Sequence, residues 1–278
     1  MKVSVKQFLC AFASMVSILL VDTSRAVVIA EDTFNGVGGS FLQGINSGSG
    51  FGASSTWDGN STSGSENARV SYPGLSYSGL TVAGGKAGFR GNFRRIYRPT
   101  GGAGFASYLD GSGNIGADGT DLWFSFLLAR SSNATSGGSF GVSLLRDAVD
   151  PSTTADEVIY FSNLLGGGFQ DLDTHMIAVH MEFAAGNDTY TVYVDPDLSL
   201  APTGGVSNSI ADLSFDMIKL EGRIFGSPTS DIRFDEVRFG ETAVDLGFAP
   251  VPEPSTYALL LFACTVFYIV RKKMANAD

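Results

Sequence analysis

The chain has 278 residues, with 28 Asp and Glu against 18 Lys and Arg, a formal net charge of −10. Such a surplus of acid repels nucleic acid and anionic headgroups, so neither is expected as a partner, while cations and neutral sugars are tolerated. The two cysteines, Cys10 and Cys264, lie in apolar ends, which leaves the part between them without disulfides, thiolate nucleophiles or cysteine metal sites.

Lys2 and Lys6 precede an apolar segment from Phe8 to Val21, and small residues follow. This is the order of a secretory signal peptide, assigned to residues 1–26. Cleavage after Ala26, with Ser24 at −3, and cleavage after Ala30, with Val28 at −3, both satisfy the small-residue rule. Cys10 follows the bulky Phe8 and Leu9, so ordinary signal peptidase is expected, not lipidation. From residue 27 to residue 254 the chain carries 26 acidic and 12 basic side chains. That length supports one domain with a real core, assigned to residues 27–248.

Strands separated by Gly-, Ser- and Asn-rich turns are predicted throughout this domain, with no helical period. Glu31–Phe34 is the first. A glycine-rich stretch follows to about Gly64 and reads as a long surface loop with little core. It carries Trp57, which together with the tyrosine Tyr72 is a candidate for stacking on sugar faces. Asn67–Tyr72 alternates, and Pro73-Gly74 suits a type II turn. Phe89–Arg98 gathers Arg90, Arg94, Arg95 and Arg98; clustered arginines in an acidic protein are expected to pair with carboxylates rather than form an anion site.

Asp121–Arg130 alternates Leu122, Phe124, Phe126 and Leu128 with Trp123 and Leu127. Burial on both faces marks a central strand. Ser139–Leu145, Glu157–Phe161 and Met176–Phe183 follow, the last forming a hairpin with Thr189–Val194 through Ala185-Gly-Asn-Asp188. Phe215–Leu220 is a further strand. In Ile232–Phe239 the apolar parity switches between Phe234 and Val237, which predicts a β-bulge at Asp235-Glu236. More than eight short antiparallel strands predict an all-β, two-sheet jelly-roll sandwich.

The chain ends in three parts: Val251-Pro-Glu-Pro-Ser-Thr256, an uncharged run from Tyr257 to Val270, and Arg271-Lys272-Lys273. The prolines stop a helix from running backwards. The run is apolar all round and reads as a transmembrane helix over about 256–270, with the cations held inside. Fourteen residues rise only about 21 Å against roughly 30 Å of hydrocarbon, so the span is thin or temporary.

Residues 249–278, through Pro252, Glu253, Pro254, Arg271, Lys272 and Lys273, closely resemble the PEP-CTERM protein-sorting signal of Gram-negative bacteria that make extracellular polysaccharide. The resemblance implies recognition and cleavage by a membrane-embedded exosortase. It also implies inner-membrane anchoring with the domain in the periplasm, then release or transfer to the cell surface or extracellular matrix. The Met274–Asp278 extension departs from that pattern. Separately, Glu31–Phe34, Tyr190–Pro196 and Asp235–Gly240 resemble concanavalin-A/laminin-G-like exported domains.

Hydrolases of that sandwich class place two carboxylates at alternate positions on one strand, aimed at one cleft. No Glu-x-Asp-x-Glu pattern occurs here, and the adjacent Asp235 and Glu236 would face opposite sides of a regular strand. His175 and His180 have opposite parity and would not share a metal. No catalytic residues and no cofactor are therefore expected. Asp171, Asp173, Asp195 and Asp197 form two oxygen-rich loop pairs, candidates for Ca2+ or for turn capping. The expected role is a non-catalytic, glycan-binding protein of the cell envelope or polysaccharide matrix. The alternatives are a polysaccharide hydrolase or lyase and a purely structural surface protein.

Overall fold

The computed structural model describes residues 27–59, 68–90, 94–130, 138–147, 156–162, 172–224, 231–250 and 265. The signal peptide, the Pro-Glu-Pro motif, the apolar run (apart from Thr265) and its cations lie outside the described residues, as does Asp171. Among the described residues no helix is long and apolar enough to cross a membrane.

The described residues form twelve strands: β1 Val28–Asp32, β2 Arg69–Ser71, β3 Lys86–Arg90, β4 Arg94–Pro99, β5 Asp121–Arg130, β6 Gly138–Leu145, β7 Glu157–Ser162, β8 His175–Glu182, β9 Asn187–Val194, β10 Val206–Ala211, β11 Met217–Ile224 and β12 Asp231–Gly240. They form two antiparallel sheets. The larger has the order β10-β9-β8-β5-β12-β3-β2, with β1 also paired to β12; the smaller has the order β4-β11-β6-β7. The expected two-sheet sandwich is present. Two features of the strand set carry no mark in the sequence reading. Phe89–Arg98 spans two strands that belong to different sheets. The edge strand β10 has no apolar alternation and is held by its backbone register, Val206 opposite Val192 through Ala211 opposite Asn187.

The main core lies between the sheets. Leu122, Phe124, Phe126 and Leu128 of β5 meet Val142 and Leu144 of β6, Phe161 of β7 and Ile218 and Leu220 of β11. Phe124 stacks on Phe239 with ring centroids 4.7 Å apart. The other face of β5 is also covered: Trp123, Leu127 and Ala129 join Leu75, Met176, Leu198, Leu246 and Phe248 in a second apolar layer. Double-faced burial of β5, between β8 and β12, is what its unbroken apolar run demands.

The parity switch in β12 is a bulge, as the sequence predicts. Asp235 pairs with Leu127 and Arg238 with Ser125, so Glu236 and Val237 together oppose the single residue Phe126. Glu236 takes the left-handed φ of 50°. Ile232, Phe234, Val237 and Phe239 therefore all reach the main core. The same bulge divides the other edge of β12 between two partners: β3 pairs with Asp231–Phe234 and β1 with Val237–Gly240. The turn after β2 is a correction. Tyr72–Pro73 is cis, and Gly74 lacks the positive φ that a type II turn requires.

The glycine-rich stretch is also more than a surface loop, because Leu42 and Trp57 are fully buried in the main core. Its anchor is a buried ion pair between Asp32 at the end of β1 and Arg98 near the end of β4, which links the two sheets. Asp32 Oδ1 accepts from Phe34 N at 2.7 Å and Ser47 Oγ at 2.7 Å. Its Oδ2 accepts from Trp57 Nε1 at 2.7 Å and from Arg98 Nη1. Arg98 also donates to Ser47 O at 3.0 Å and Ser55 Oγ at 3.2 Å, and its guanidinium lies 3.9 Å from the Phe51 ring centroid. Burial pushes the Asp32 carboxyl up and the Arg98 guanidinium down, and the attraction between them opposes both shifts.

Removing one partner of such a pair strands the other as a buried charge. Asp32→Asn is expected to cost about 3–5 kcal/mol in chemical denaturation. The double variant Asp32→Asn/Arg98→Met should recover more than half of that loss; no recovery would show that the charges are not the source of the cost.

Candidate functional site

Two places on the described surface combine aromatic and polar groups, and a third, buried beneath a loop, holds two adjacent carboxyl groups. The first is a groove of about 400 Å³ beside β2, lined by Gly38, Gly39, Arg69, Ser71, Tyr72 and Gly88 among others. Tyr72 is 49% exposed although its hydroxyl is fixed, donating to Gly36 O at 2.8 Å and accepting from Gly36 N at 3.2 Å. A Cβ at Gly85 would sit 3.1 Å from Tyr72 Cζ and 3.0 Å from Phe34 O, so this glycine lets the ring lie close to the backbone. Arg69 donates to Gly39 O at 2.6 Å, with its guanidinium 4.0 Å from the Phe41 ring centroid. Both side chains are thus oriented before any ligand arrives, with an aromatic face and a cation on one wall.

Trp57, the other aromatic candidate, is a correction. It is fully buried, stacked on Phe34 at 5.6 Å and bonded through Nε1 to Asp32. No face is left for a sugar. Its neighbours Asp58 and Gly59 suggest a turn, but the buried carboxylate that claims the indole lies 25 residues away and carries no local sequence signal.

The second place is on the outward face of β5, β8 and β9. Cross-strand register sets Asp121 opposite Glu182 and Trp123 opposite His180. The His180 ring stacks on Trp123 with centroids 4.4 Å apart and planes 12° from parallel; Tyr193 stacks at 5.8 Å. Donor atoms of Asp121, His180 and Glu182 lie within 4.8 Å of one another, a set whose chemistry, one imidazole and two carboxylates, suits a divalent transition ion better than Ca2+. Glu182 also accepts from Thr189 Oγ1 at 2.6 Å. Parity along β8 correctly separates His180 from His175, whereas the partners on β5 follow only from inter-strand register.

Of the oxygen-rich loop pairs, Asp173, Asp195 and Asp197 are described. Asp195 follows β9 at φ 49°; it accepts from Met176 N at 3.0 Å and lies 2.7 Å from His175 Nδ1. Asp197 accepts from Ser199 N at 2.9 Å and Ser199 Oγ at 2.7 Å, bonds that hold its carboxyl below the usual carboxylate value. Both aspartates cap turns, and a cation would have to compete with those bonds.

The third place holds Asp235 and Glu236. The bulge turns both away from the main core, contrary to the opposite sides expected of a regular strand, and the 73–85 segment closes over them. Asp235 Oδ2 accepts from Leu75 N at 2.7 Å and Oδ1 from Glu236 N at 2.8 Å. Glu236 Oε1 accepts from Ala83 N at 2.9 Å, and Oε2 pairs with Arg238, which also donates to Thr81 O at 2.9 Å. A Cβ on Gly74 would meet Asp235 Oδ2 at 2.7 Å, so only glycine lets the segment approach this closely. Both carboxylates are buried. They fasten a loop and offer substrate no access.

No family model matches the chain, and no curated protein matches it. Solved structures with a similar course include the catalytic domain of a β-glucanase from Podospora anserina, at 15% identity and TM-score 0.36, covering 66% of this chain and 83% of that one. A carbohydrate esterase of a Shiga toxin-encoding bacteriophage aligns at 9% identity and TM-score 0.39, covering 67% and 90%. Lectin I-B4 from Griffonia simplicifolia aligns at 10% identity and TM-score 0.31, covering 66% and 91%. Likenesses this distant assign no activity to the chain.

Burial pushes the Asp235 carboxyl from 3.8 up to about 8, the Leu75 N–H working against this and the Glu236 charge adding to it. Between those values the folded protein holds a proton that the unfolded chain releases. Stability from this group is therefore full below about pH 4 and lost as pH rises through about 8. Asp235→Asn removes that dependence. The stability difference, variant minus native, should grow between pH 4 and pH 8 and level off above it; a difference independent of pH would contradict the assignment.

Proposed function

We propose that the chain is an exported, surface-sorted sandwich of the concanavalin-A-like jelly-roll type. In this reading it is a non-catalytic protein of the cell envelope or polysaccharide matrix and binds glycan. The observation that carries the binding half is the Tyr72–Arg69 groove. A half-exposed, hydrogen-bonded aromatic face gives the apolar side of a sugar ring a surface to stack on, while Arg69 and the glycine backbone supply polar groups at its rim. Asp235 and Glu236, the adjacent carboxylate pair singled out by the sequence, are both engaged by a loop, and this supports binding over hydrolysis.

The sorting half rests on the C-terminal motif. Pro252, Glu253 and Pro254 would be read by the exosortase, with the short helix held in the inner membrane by Arg271, Lys272 and Lys273. The large acid surplus keeps such a domain soluble and away from anionic headgroups once it is released.

Two measurements test the two halves separately. On a glycan array, Tyr72→Ala should weaken binding about tenfold or more, the equivalent of about 1.4 kcal/mol, while thermal unfolding shows the variant still folded at the assay temperature. Equal binding by native and variant would remove the groove from the proposal. Mass spectrometry of the C-terminus should find a shortened chain only in cells that contain the processing enzyme, and a chain ending at Asp278 in both would remove the sorting proposal.

A further inference from the structure

Asp245 is a buried carboxylate, 4% exposed, in the 3-10 helix Ala243–Leu246 that follows β12. Its Oδ2 accepts from Thr242 N at 2.7 Å and Thr242 Oγ1 at 3.0 Å, completing a capping box. It lies against the end of β12 because residue 240 is glycine: a Cβ there would sit 2.4 Å from Asp245 Cβ. Among the described residues it has no cationic side chain as partner. A buried carboxylate without a counter-charge is costly. Its other oxygen, Oδ1, accepts a hydrogen bond from one further group, the backbone nitrogen of Val27.

Val27 directly follows one of the two bonds at which the leader can be cut. The structure separates those two bonds. Cleavage after Ala30 would delete Val28, Ile29 and Ala30, and with them the pairings of Val28 to Gly240 and Ala30 to Phe239. Ile29 and Ala30 are buried in the main core. The backbone around Ile29 is tightly wrapped, since a Cβ on Gly50 would lie 2.0 Å, and one on Gly104 2.5 Å, from Ile29 O. Cleavage after Ala26 leaves β1 whole and places the new terminus at Asp245.

We propose that the leader is removed at the Ala26–Val27 bond and that the resulting Val27 α-ammonium is bound by Asp245 as its counter-charge. This rests on the export reading. Hydrolysis adds one water across the amide, leaving a carboxylate on Ala26 and an amine on Val27, which takes up a proton at neutral pH. The precursor offers Asp245 a neutral N–H, and the mature chain offers it a cation. Processing therefore tightens the join between the start of β1 and the helix after β12. Among the described residues, Tyr108 lies within reach of Asp245 together with Glu241 and Asp121. Burial, and after it the charges of Glu241 and Asp245, push the Tyr108 hydroxyl up to about 12, so it stays neutral over the range in which an α-amino group titrates.

An α-amino group titrates near 7.7–8.0 when free, and a buried carboxylate partner raises that value. The stabilisation is then full below about pH 8 and lost as pH climbs further. The experiment compares the processed protein purified from cells, its Asp245→Asn form, and the uncleaved precursor carrying Ala26→Leu. Mass spectrometry reads the N-terminus, and thermal unfolding is followed from pH 6 to pH 10. The processed protein should begin at Val27 and lose roughly 3–6 °C more of Tm between pH 7 and pH 10 than either other form, on top of the Asp235 loss that all three share. A chain that begins at Glu31 overturns the inference and leaves export standing. One that begins at Val27 with the same alkaline loss in all three forms overturns the pairing alone. One that still begins at Met1 overturns the export reading and this inference with it.

Discussion

The two sheets are joined at their rim by the contact of Asp32 with Arg98. A guanidinium on the inward parity of β4, two residues beyond the core residue Ile96, would wreck an apolar layer if it were left alone. Here its donors reach Asp32, Ser47, Ser55 and Asn46. Three of those partners come from the glycine-rich stretch. That stretch has too few apolar side chains to fold over the core by burial alone, and the ion pair gives it a fixed point. Trp57 and Leu42 can then close the end of the sandwich.

A second constraint organises the large sheet. β12 lies beside β5 along one edge and serves β3 and β1 in succession along the other. The bulge at Glu236 makes this handover possible by adding one residue without rotating the inward face. It also turns two consecutive carboxylates outward, where Leu75 N and Ala83 N meet them. The sheet's outer face is thus closed here by a loop, beside the short 3-10 helix Ala243–Leu246, whose Leu246 packs into the same layer. The open remainder, around His180, Glu182 and Tyr193, is where polar and aromatic side chains alternate.

The fold was legible wherever apolar residues keep a period of two. β5, the hairpin of β8 and β9 and the phase change in β12 all announce themselves in this way. β10 does not, because an edge strand with four exposed residues in a row needs only backbone partners. Phe89–Arg98 hid two strands because a change of sheet leaves no mark on local alternation. The candidate groove was half legible: Tyr72 could be named, but its wall comes from Gly38 and Gly39, more than 30 residues earlier. Trp57 was misread for a related reason. Its polar surroundings suggested exposure, and the buried acceptor for its indole belongs to another strand.

Much of the acid surplus has a structural use that net charge alone conceals. In a domain built of strands and long loops, many backbone N–H groups lie outside any ladder and must still be satisfied when buried. An Asp or Glu side chain suits this because its two oxygens can accept several hydrogen bonds. Asp32 takes Phe34 N, Asp188 takes Ala184 N and Leu213 N, Asp235 takes Leu75 N and its neighbour, and Glu236 takes Ala83 N. Each joins segments that an apolar side chain could cover but not align. The same device explains why charge compensation inside the domain is uneven. Asp32 has Arg98 and Glu236 has Arg238, whereas Asp245 is met among the described residues only by backbone and a threonine hydroxyl. Residues 27–248 contain no cysteine and so no disulfide to tie their ends, and Asp245 beside the start of β1 offers a place to fasten one.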